Sequence, residues 1–404
     1  MLERKFDSDQ LIEIDQLITE QGALLSSKLD RHRYEIFPPK AQKTLRSFQL
    51  TEVANLVGIS QSHLRNLVQE NKGPSPSVSG TGRKSFTGEQ ILELRQFLNN
   101  NGRSKQTFVP HRKEGDHLQI IAVTNFKGGS GKTTTSAHLA QHLALSGHRV
   151  LAIDLDPQAS LSALHGFQPE IDVQPNETLY AALRYDDQKR PIAELIKNTN
   201  FPGLDIIPGN LELVEFEYDT PRILAENKGF QKDIFFTRLD SSISEIDHLY
   251  DVVIIDCPPQ LGYLSMAAIC ASTSLLVTVH PQMLDVMSMS QFLIMMGDIM
   301  SHLKKAGGNM RLDWLRYLIT RYEPTDMPQT EMVTFLRSLF GKHILTNPML
   351  KSVAISDAGI TKQTLYEIEK QTFTRSTYDR AMESLNLVNG EIQNLIHKAW
   401  GRTQ

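Results

Sequence analysis

A glycine-rich stretch around residue 130 contains the residue types that hold phosphate groups. An apolar run of strand length, Leu118–Thr124, precedes it, and a helical run from Ser136 to Leu145 follows it. Glycines allow backbone N–H groups to turn towards phosphate oxygens, and the N-terminus of the next helix adds the positive end of its dipole. The stretch reads Lys127-Gly128-Gly129-Ser130-Gly131-Lys132-Thr133-Thr134. We therefore predict that these residues bind the phosphates of a nucleotide.

Two lysines and a threonine of this loop have predicted roles in catalysis. Lys132 is placed to reach the β- and γ-phosphate oxygens, and the Thr133 hydroxyl to ligate Mg²⁺. The usual phosphate loop has its first glycine five residues before Gly131, where this chain has Phe126, and an additional lysine, Lys127, follows instead. We predict a division of labour, in which Lys127 contacts the γ-phosphate of a facing subunit, as an arginine finger does in trans.

Three aspartates follow apolar runs of strand length. Asp154 and Asp156 end one run, and Asp256 ends a later one. In open α/β sheets, ligands bind at the carboxyl edge of the strands, and a carboxylate beside a triphosphate holds Mg²⁺ or positions water. We predict that Asp154 and Asp256 join Thr133 at the metal, Asp256 through water, and that Asp156 positions the attacking water.

Apolar runs of strand length alternate with helical stretches from Leu118 onward. This alternation predicts βαβ units and an α/β domain with a mostly parallel sheet flanked by helices. The Lys127–Thr133 string between its first strand and the next helix is the signature of a P-loop NTPase with a deviant Walker loop. The predicted strands are Leu118–Thr124, Val150–Leu155, Leu204–Ile207, Val252–Ile255, Leu275–Val279 and Trp314–Ile319.

Residues 50–67 have the pattern of a helix-turn-helix. Ala54 supplies the small residue of the first helix and Gly58 the turn, while Leu64 and Leu67 are the apolar positions that lock the second helix. Helical hairpins that bind no DNA share this pattern. A net charge of +7 over residues 41–113, on a chain whose net charge is -4, favours nucleic-acid binding.

The second helix of this motif would present its polar side chains to a DNA major groove. It is predicted to begin after Ile59, with Ser60 as its N-cap. A turn-rich segment, residues 72–82, could form a wing whose following residues touch DNA phosphates. The candidate DNA contacts are Gln61, Ser62, His63, Arg65, Asn66 and Gln69 on the helix, and Arg83 and Lys84 on the wing.

Four segments are predicted along the chain: an N-terminal helix at 1–40, an all-α (winged) helix-turn-helix domain at 41–100, a linker at 101–116 and an ATPase domain at 117–404. In the first segment, Leu11, Ile14 and Ile18 lie on one helical face. That face either packs on its own domain or pairs with a second copy of the chain.

The number of cysteines and the absence of long apolar runs indicate in which cellular compartment the protein is expected. The two cysteines, Cys257 and Cys270, are too few for a disulfide framework and fit a reducing cytoplasm. The first residues contain no apolar stretch before a cleavage site, and no run of about 18 apolar residues occurs, so neither a secretory signal nor a membrane span is expected.

The glycine loop, the Asp-x-Asp-Pro-Gln stretch at 154–158 and the Asp-Cys-Pro-Pro stretch at 256–259 together resemble the ParA/MinD group of deviant Walker ATPases. Within that group the chain is similar to plasmid partition ATPases with an N-terminal DNA-binding domain, and especially to the RepA partition proteins of repABC plasmids. Stretches 154–164, 280–288 and 318–324 carry this second resemblance, which extends over nearly the whole chain.

The resemblance implies an ATP-driven cycle in the cytoplasm, on the nucleoid. ATP with Mg²⁺ would close a sandwich homodimer in which Lys127 crosses to the partner's nucleotide, and Asp156 would support slow hydrolysis. The ATP-bound dimer would bind nucleoid DNA without sequence preference. A centromere-binding ParB/RepB-like partner would stimulate hydrolysis and release it. The helix-turn-helix would bind operator DNA and repress the protein's own operon.

Three other functions compete with this interpretation. An iron–sulfur reductase shares the deviant loop, but Cys257 directly follows a buried strand and is poorly placed for a cluster. A membrane-cycling ATPase needs a basic amphipathic C-terminal helix, and the segment 391–400 has one lysine, so no membrane partner is expected. A nucleotide-switched transcriptional repressor without a motor role remains the main alternative.

Overall fold

A computed structural model describes residues 14–36, 43–78, 80, 82–101, 107–226, 235–308, 311–369 and 372–402. The chain divides into two units, Met1–Lys43 and Thr44–Gln404. The first unit contains helix α1 (Ile14–Ile36), in which Ile14 and Ile18 are 70% and 63% exposed. Leu11, which the sequence places on the same face, lies outside the described residues. The choice between packing and pairing of this helix stays a prediction.

The second unit begins with a helix-turn-helix subdomain, residues 48–101. Three short antiparallel strands form its sheet in the order β1-β3-β2. Its elements are β1 (Phe48–Gln49), α2 (Leu50–Val57), α3 (Gln61–Gln69), β2 (Ser77–Val78), β3 (Lys84–Phe86) and α4 (Gly88–Asn101). Strand β2 lies within the turn-rich segment 72–82 for which the sequence predicted a wing, and β3 follows that segment.

The turn between α2 and α3 depends on two residues. Gly58 has a φ of +79°, a left-handed conformation that glycine adopts without steric cost, and it ends α2. The Ser60 hydroxyl accepts a hydrogen bond from the His63 backbone N–H at 3.1 Å, so the predicted N-cap is confirmed. Leu64 and Ala54 are fully buried where the two helices pack together.

The larger part of the second unit is an α/β sandwich. Seven strands of the described residues form one sheet in the order β10-β9-β4-β8-β5-β7-β6, parallel except for β6 at one edge. The strands are β4 (Gln119–Thr124), β5 (Val150–Asp154), β6 (Lys197–Asn198), β7 (Leu204–Ile207), β8 (Val252–Asp256), β9 (Ser274–Val279) and β10 (Trp314–Ile319).

Helices cover this sheet, and hydrophobic clusters of buried residues flank the strands. The helices are α5 (Lys132–Leu145), α6 (Ser160–Leu164), α7 (Pro169–Asp172), α8 (Tyr180–Leu183), α9 (Val214–Glu226), α10 (Phe235–Glu245), α11 (Tyr263–Ala271), α12 (Met283–Lys305), α13 (Met327–Phe340), α14 (Val353–Ile360) and α15 (Arg375–Ala399). Short 3-10 turns occupy 192–195, 211–213, 247–249 and 341–343.

The six predicted strands match the observed ones to within one residue at each end. The prediction for the helix after the glycine loop was wrong at its start. That helix begins at Lys132, four residues before Ser136, because the last loop residues already adopt helical geometry. The sequence also did not predict β6, which has two residues and too little pattern to detect. The helix-turn-helix subdomain was predicted as all-α, and this was wrong, because three strands of two or three residues each form a small sheet there.

A buried arginine joins the helix-turn-helix subdomain to the α/β sandwich. Arg95 of α4 is 6% exposed, and its guanidinium donates hydrogen bonds to three backbone carbonyls. These belong to Leu145 at the end of α5 (3.1 Å), to Phe108 (3.2 Å) and to Leu56 of α2. Burial lowers the pKa of Arg95 to about 10, so it remains charged at neutral pH.

Residues 107–116 of the predicted linker pack against the sandwich. Phe108 is 5% exposed. The backbone N–H of Arg112 donates to Asp251 at 3.0 Å, and Asp116 forms an ion pair with Arg402 near the end of the chain. This part of the segment is therefore fixed to the α/β sandwich at its middle and at its C-terminal end.

Among the described helices, α12 alone has the length and composition of a membrane span. The mean hydropathy of its most apolar 18-residue window is 1.2, and 22% of that window is buried. The helix connects β9 to β10, which are adjacent parallel strands. A crossover helix between parallel strands is the usual connection in an α/β sheet, and burial of Phe292 and Met296 fits that position.

Candidate functional site

The glycine loop between β4 and α5 is fastened to the ends of two neighbouring strands. Thr278 of β9 donates a hydrogen bond from its hydroxyl to Ser130 Oγ at 2.9 Å. Thr320, directly after β10, donates to the Ser130 carbonyl at 2.7 Å, and Arg321 donates to the Gly129 carbonyl at 3.0 Å. Gly131 has a φ of +86° at the start of α5, a conformation that suits glycine. The loop therefore has a fixed conformation.

Lys132 opens α5 and is 6% exposed. Its ammonium group donates a hydrogen bond to the Lys127 carbonyl at 3.1 Å, across the glycine loop. Burial lowers the pKa of Lys132, while Asp256, Cys257 and Asp156 act in the opposite direction. The charge of Lys132 thus lies inside the loop, among the atoms predicted to hold phosphates.

Lys127 forms an ion pair with Asp285 of α12 in its own chain. The same carboxylate lies 2.8 Å from His280 Nδ1, after β9. Lys127 remains 41% exposed. The predicted contact of Lys127 with a facing subunit stays a prediction, and it would require Lys127 to leave Asp285.

Asp256 ends β8 and is fully buried. Its Oδ1 accepts a hydrogen bond from Ser136 Oγ at 2.9 Å, and its Oδ2 accepts none within the described part of the chain. Burial raises the pKa of Asp256, while the nearby Thr133 and Ser136 hydroxyls and the Lys132 ammonium oppose that rise. A buried carboxylate oxygen without a donor, near a threonine hydroxyl, is suited to hold water on Mg²⁺.

Asp154 lies beside Asp256, because β5 and β8 pair with these two residues in register. Its Oδ2 accepts hydrogen bonds from the backbone N–H and hydroxyl of Ser162, at 2.8 and 2.7 Å. Its Oδ1 accepts from the Asp156 backbone N–H at 3.2 Å. Burial and the charge of Asp256 raise the pKa of Asp154. Both oxygens have protein donors, so the contacts favour positioning of Asp156, and metal ligation by Asp154 stays a prediction.

Asp156 follows β5 and is partly exposed, at the mouth of a cleft beside the glycine loop. Its Oδ1 accepts a hydrogen bond from the Gln158 backbone N–H at 2.9 Å. The Asp156 carboxylate is therefore held by its own turn, and the exposed part of it is available to a water molecule.

The cleft has a volume of 510 Å³, within the range of small-molecule sites. The glycine loop and Asp156 line the cleft, together with Thr320, Arg321 and the segment 349–352. No three His, Cys, Asp or Glu side chains of the described residues converge as a metal-binding group. A divalent cation here would depend on hydroxyl, phosphate and water oxygens, as the predicted role of Thr133 requires.

The candidate DNA contacts on α3 lie on its open face. Ser62, His63, Arg65, Asn66 and Gln69 are exposed, and Gln61 is half-buried. On the wing, Arg83 is exposed and Lys84 is half-buried. An exposed polar helix face beside a wing suits groove binding. DNA contact by these residues stays a prediction.

Sequence reasoning missed several residues that shape the end of the sheet beside the glycine loop. Ser136 is one helical turn after Lys132, which was a detectable signal for a second hydroxyl at the site. Asp285, Thr278 and Thr320 carried no such signal, because the elements that hold them become neighbours of the loop only through the sheet order. Ser162 carried no signal either, because its contact with Asp154 depends on how α6 packs against β5.

Comparison with known proteins identifies the family. A model described as an AAA domain matches residues 118–306, which include the glycine loop and all three aspartates. A protein of Sinorhizobium fredii called replication protein A is 59% identical, over 97% of this chain and 96% of its own length. Protein SopA of Escherichia coli is 31% identical, over 81% of this chain and 82% of its own length.

The chain belongs to the ParA family of plasmid partition ATPases.

Solved structures agree with ParA-family membership at the level of the fold. A partition protein has a TM-score of 0.61 at 18% identity, and the match covers 96% of this chain and 100% of that one. Cobyrinic acid a,c-diamide synthase from Mycobacterium smegmatis, with a bound ATP analogue and magnesium, has a TM-score of 0.51 at 24% identity, covering 70% of this chain and 97% of that one. The predicted P-loop fold with a mostly parallel sheet is confirmed.

Proposed function

We propose that this ParA-family ATPase separates plasmid copies by a cycle of ATP-dependent dimerisation and DNA binding. ATP with Mg²⁺ closes a homodimer that binds nucleoid DNA without sequence preference. A centromere-binding ParB/RepB-like partner stimulates slow hydrolysis, which releases the protein from DNA. The helix-turn-helix subdomain binds operator DNA and represses the protein's own operon. The cycle takes place in the cytoplasm, on the nucleoid.

The observation that carries the nucleotide part is the buried Asp256 oxygen without a hydrogen-bond donor. It lies at the end of β8, and the Thr133 hydroxyl and the Lys132 ammonium are among the groups that affect its pKa. We assign Thr133 and Asp256 to Mg²⁺, Asp256 through water, and Lys132 to the β- and γ-phosphates. Bound Mg²⁺ would neutralise charge on the phosphate oxygens.

Asp156 is the proposed positioning group for the attacking water. Its backbone N–H is held by Asp154, and Asp154 is held in turn by Ser162. This chain of hydrogen bonds fixes Asp156 relative to β5, while its own carboxylate faces the cleft. In phosphoryl transfer the protein forms few covalent bonds itself. Precise placement of the attacking water therefore accounts for much of the rate acceleration.

The proposed dimer requires a rearrangement of Lys127. In the present arrangement, Asp285 holds its ammonium within the chain. A γ-phosphate presented by a facing subunit carries more negative charge than this one carboxylate, which His280 already contacts. Exchange of Asp285 for the phosphate would make subunit closure depend on ATP.

Fluorescence anisotropy with a scrambled DNA duplex tests the cycle, using Mg²⁺ with ATP or ADP at several salt concentrations. We expect binding with ATP only, and a steep decrease in affinity as salt rises. The Lys132→Ala variant should lose this ATP-dependent binding. Equal binding in both nucleotide states, or no binding, would contradict the partition cycle and favour the nucleotide-switched repressor.

A turnover assay separates the two functions further. Asp156→Ala should retain ATP binding and lose hydrolysis, so that the variant stays on DNA after ATP is added. Operator repression in cells should need hydrolysis less than plasmid partition does. An equal requirement would contradict the proposal that repression and partition are separate roles.

A further inference from the structure

Arg321, the second residue after the end of β10, lines the cleft beside the glycine loop. We propose that Arg321 is a positioning residue for phosphate binding, which keeps a backbone N–H of the glycine loop directed at a phosphate oxygen. Arg321 acts on the site already proposed for the nucleotide, so this role rests on the proposed function. It differs from the role of Lys132, which is assigned to direct contact with the phosphates.

Two consecutive carbonyls of the glycine loop accept hydrogen bonds from the residues that follow β10. Arg321 Nη1 donates to the Gly129 carbonyl at 3.0 Å, and the Thr320 hydroxyl donates to the Ser130 carbonyl at 2.7 Å. In a planar trans peptide, the C=O and the following N–H point in opposite directions. Holding these carbonyls therefore fixes the directions of the Ser130 and Gly131 N–H groups, away from residues 320 and 321.

The two N–H groups that are fixed in this way lack a protein acceptor. Within the part of the chain that the structure describes, neither the Ser130 N–H nor the Gly131 N–H makes a well-formed hydrogen bond. Ser130 is 3% exposed. A buried N–H without an acceptor costs free energy, which a bound ligand can offset. Backbone N–H groups at the start of a helix are common donors to phosphate oxygens, and these two directly precede α5.

The backbone of Arg321 is strained. Its φ is +51°, in the left-handed region that a residue with a Cβ adopts at a steric cost. Its neighbours on both sides are held in place. The Thr320 N–H donates to the Val279 carbonyl at 2.8 Å, and the Tyr322 N–H donates to the Met349 carbonyl at 3.1 Å. Strained residues persist where surrounding contacts impose them, and they are concentrated at binding and active sites.

Folding stability alone does not account for an arginine in this conformation. Among the described residues, the Gly129 carbonyl is the acceptor of its guanidinium, and no carboxylate forms an ion pair with it. The side chain is exposed. One exposed hydrogen bond contributes no more to stability than the strain of the backbone costs. The contact with the glycine loop therefore points to a role in binding.

Fluorescence of Mant-ATP, measured with Mg²⁺ and the full-length protein, tests this role. Arg321→Ala should weaken binding roughly tenfold, because the peptide unit that carries the Ser130 N–H loses its anchor. Arg321→Lys should recover part of the affinity, since an ammonium group can donate to the same carbonyl. Arg337→Ala is the matched control. Arg337 is an exposed arginine of α13 that donates to the Thr346 carbonyl at 2.8 Å, and its loss should leave binding unchanged.

Urea unfolding without nucleotide separates positioning from a structural role. Arg321→Gly removes the same hydrogen bond as Arg321→Ala, but glycine adopts a left-handed φ without steric cost. The glycine variant should therefore be at least as stable as the alanine variant, while both bind Mant-ATP equally weakly. If both variants lose stability in proportion to their loss of affinity, Arg321 has a structural role only, and the proposal is overturned.

Displacement of Mant-ATP by inorganic pyrophosphate shows which part of the nucleotide is affected. Arg321→Ala should weaken the binding of pyrophosphate and of Mant-ATP by the same factor, because the affected N–H group binds phosphate. A loss confined to Mant-ATP would place Arg321 at the base or ribose and overturn the proposal.

Lys132→Ala distinguishes failure of this inference from failure of the nucleotide site. If Lys132→Ala loses Mant-ATP binding while Arg321→Ala stays within about twofold of the wild type, the role of Arg321 is refuted and the site stands. If the wild type binds no Mant-ATP, or Lys132→Ala binds it as the wild type does, the proposed nucleotide site itself is refuted, and the role of Arg321 with it.

Discussion

The end of the sheet beside the glycine loop and the helix-turn-helix subdomain arrange their candidate binding residues in two different ways. Around the glycine loop, side chains from β8, β9 and the segment after β10 converge, and several are fully buried. On α3, the candidate DNA contacts come from a single short helix and lie on its open face. A chemical site needs fixed convergent groups, whereas reading a groove needs an exposed and accessible face.

Substitutions in the two regions should therefore affect different properties of the protein. Buried groups at the nucleotide end should affect both activity and stability. Exposed groups of α3 should affect DNA binding with stability changes within about 0.5 kcal/mol. Arg95 joins the two regions, so its loss should be detectable in both.

The largest expected effect is on ATP turnover. Lys132→Ala removes the buried ammonium that lies across the glycine loop, and we expect turnover to fall roughly 10²- to 10³-fold, the cost of losing one preorganised electrostatic group. Steady-state phosphate release measures it. Arg65→Ala on α3 is the matched control and should keep wild-type turnover. A Lys132→Ala enzyme within threefold of wild type would refute the assigned site.

The stability of the nucleotide side should depend on pH through His138 of α5. His138 is buried, with Nδ1 2.7 Å from the Thr134 carbonyl, and Nε2 accepts from the Leu365 N–H at 3.3 Å. Because Nε2 accepts and Nδ1 donates, both nitrogens are satisfied in the neutral ring. Burial lowers the pKa of His138 to about 4.

The unfolded chain, with a histidine pKa near about 6.5, binds more protons than the folded chain between these two values. Stability is therefore fully present above about pH 6.5 and falls as pH decreases towards 4, by up to about 3 kcal/mol for this group. Urea unfolding at several pH values measures the change. His138→Gln should reduce the slope, and an unchanged slope would show that other groups cause the acid sensitivity.

The next largest expected effect is on the junction that Arg95 forms between the two regions. Arg95→Met keeps most of the side-chain volume but leaves three backbone carbonyls without their donor, which should cost about 2 kcal/mol. Urea unfolding followed by circular dichroism tests this. If the two regions are coupled through Arg95, operator binding should also weaken. Unchanged stability would mean that water replaces the guanidinium at all three carbonyls.

The smallest expected effect is a loss of stability confined to the helix-turn-helix subdomain. Ser60→Ala removes the hydroxyl that accepts from the His63 N–H, and loss of such an N-cap costs about 1 kcal/mol. Thermal unfolding should detect it, while ATP turnover stays at the wild-type rate. Ser60→Asp, which keeps an acceptor at the cap, should restore most of the loss.

Much of this organisation could be predicted because it is local in sequence. The apolar runs, the glycine loop and the aspartates after the strands lie next to one another along the chain, so their spacing alone predicted strands, a phosphate loop and carboxylates at one edge. The same holds for Ser60 and Gly58, because a helix cap and a left-handed turn involve residues a few positions apart.

The tertiary structure decided the partners of these groups. Lys127 contacts Asp285 and Ser130 contacts Thr278 because the sheet order places β4 beside β9. Asp154 contacts Ser162 because α6 packs against the end of β5. The same packing made Arg95 the connection between two regions and left a cleft between α2 and α15. The sequence by itself determined the residue types and where each strand or helix presents them. Which of them meet depends on long-range packing, for which a local pattern carries no signal.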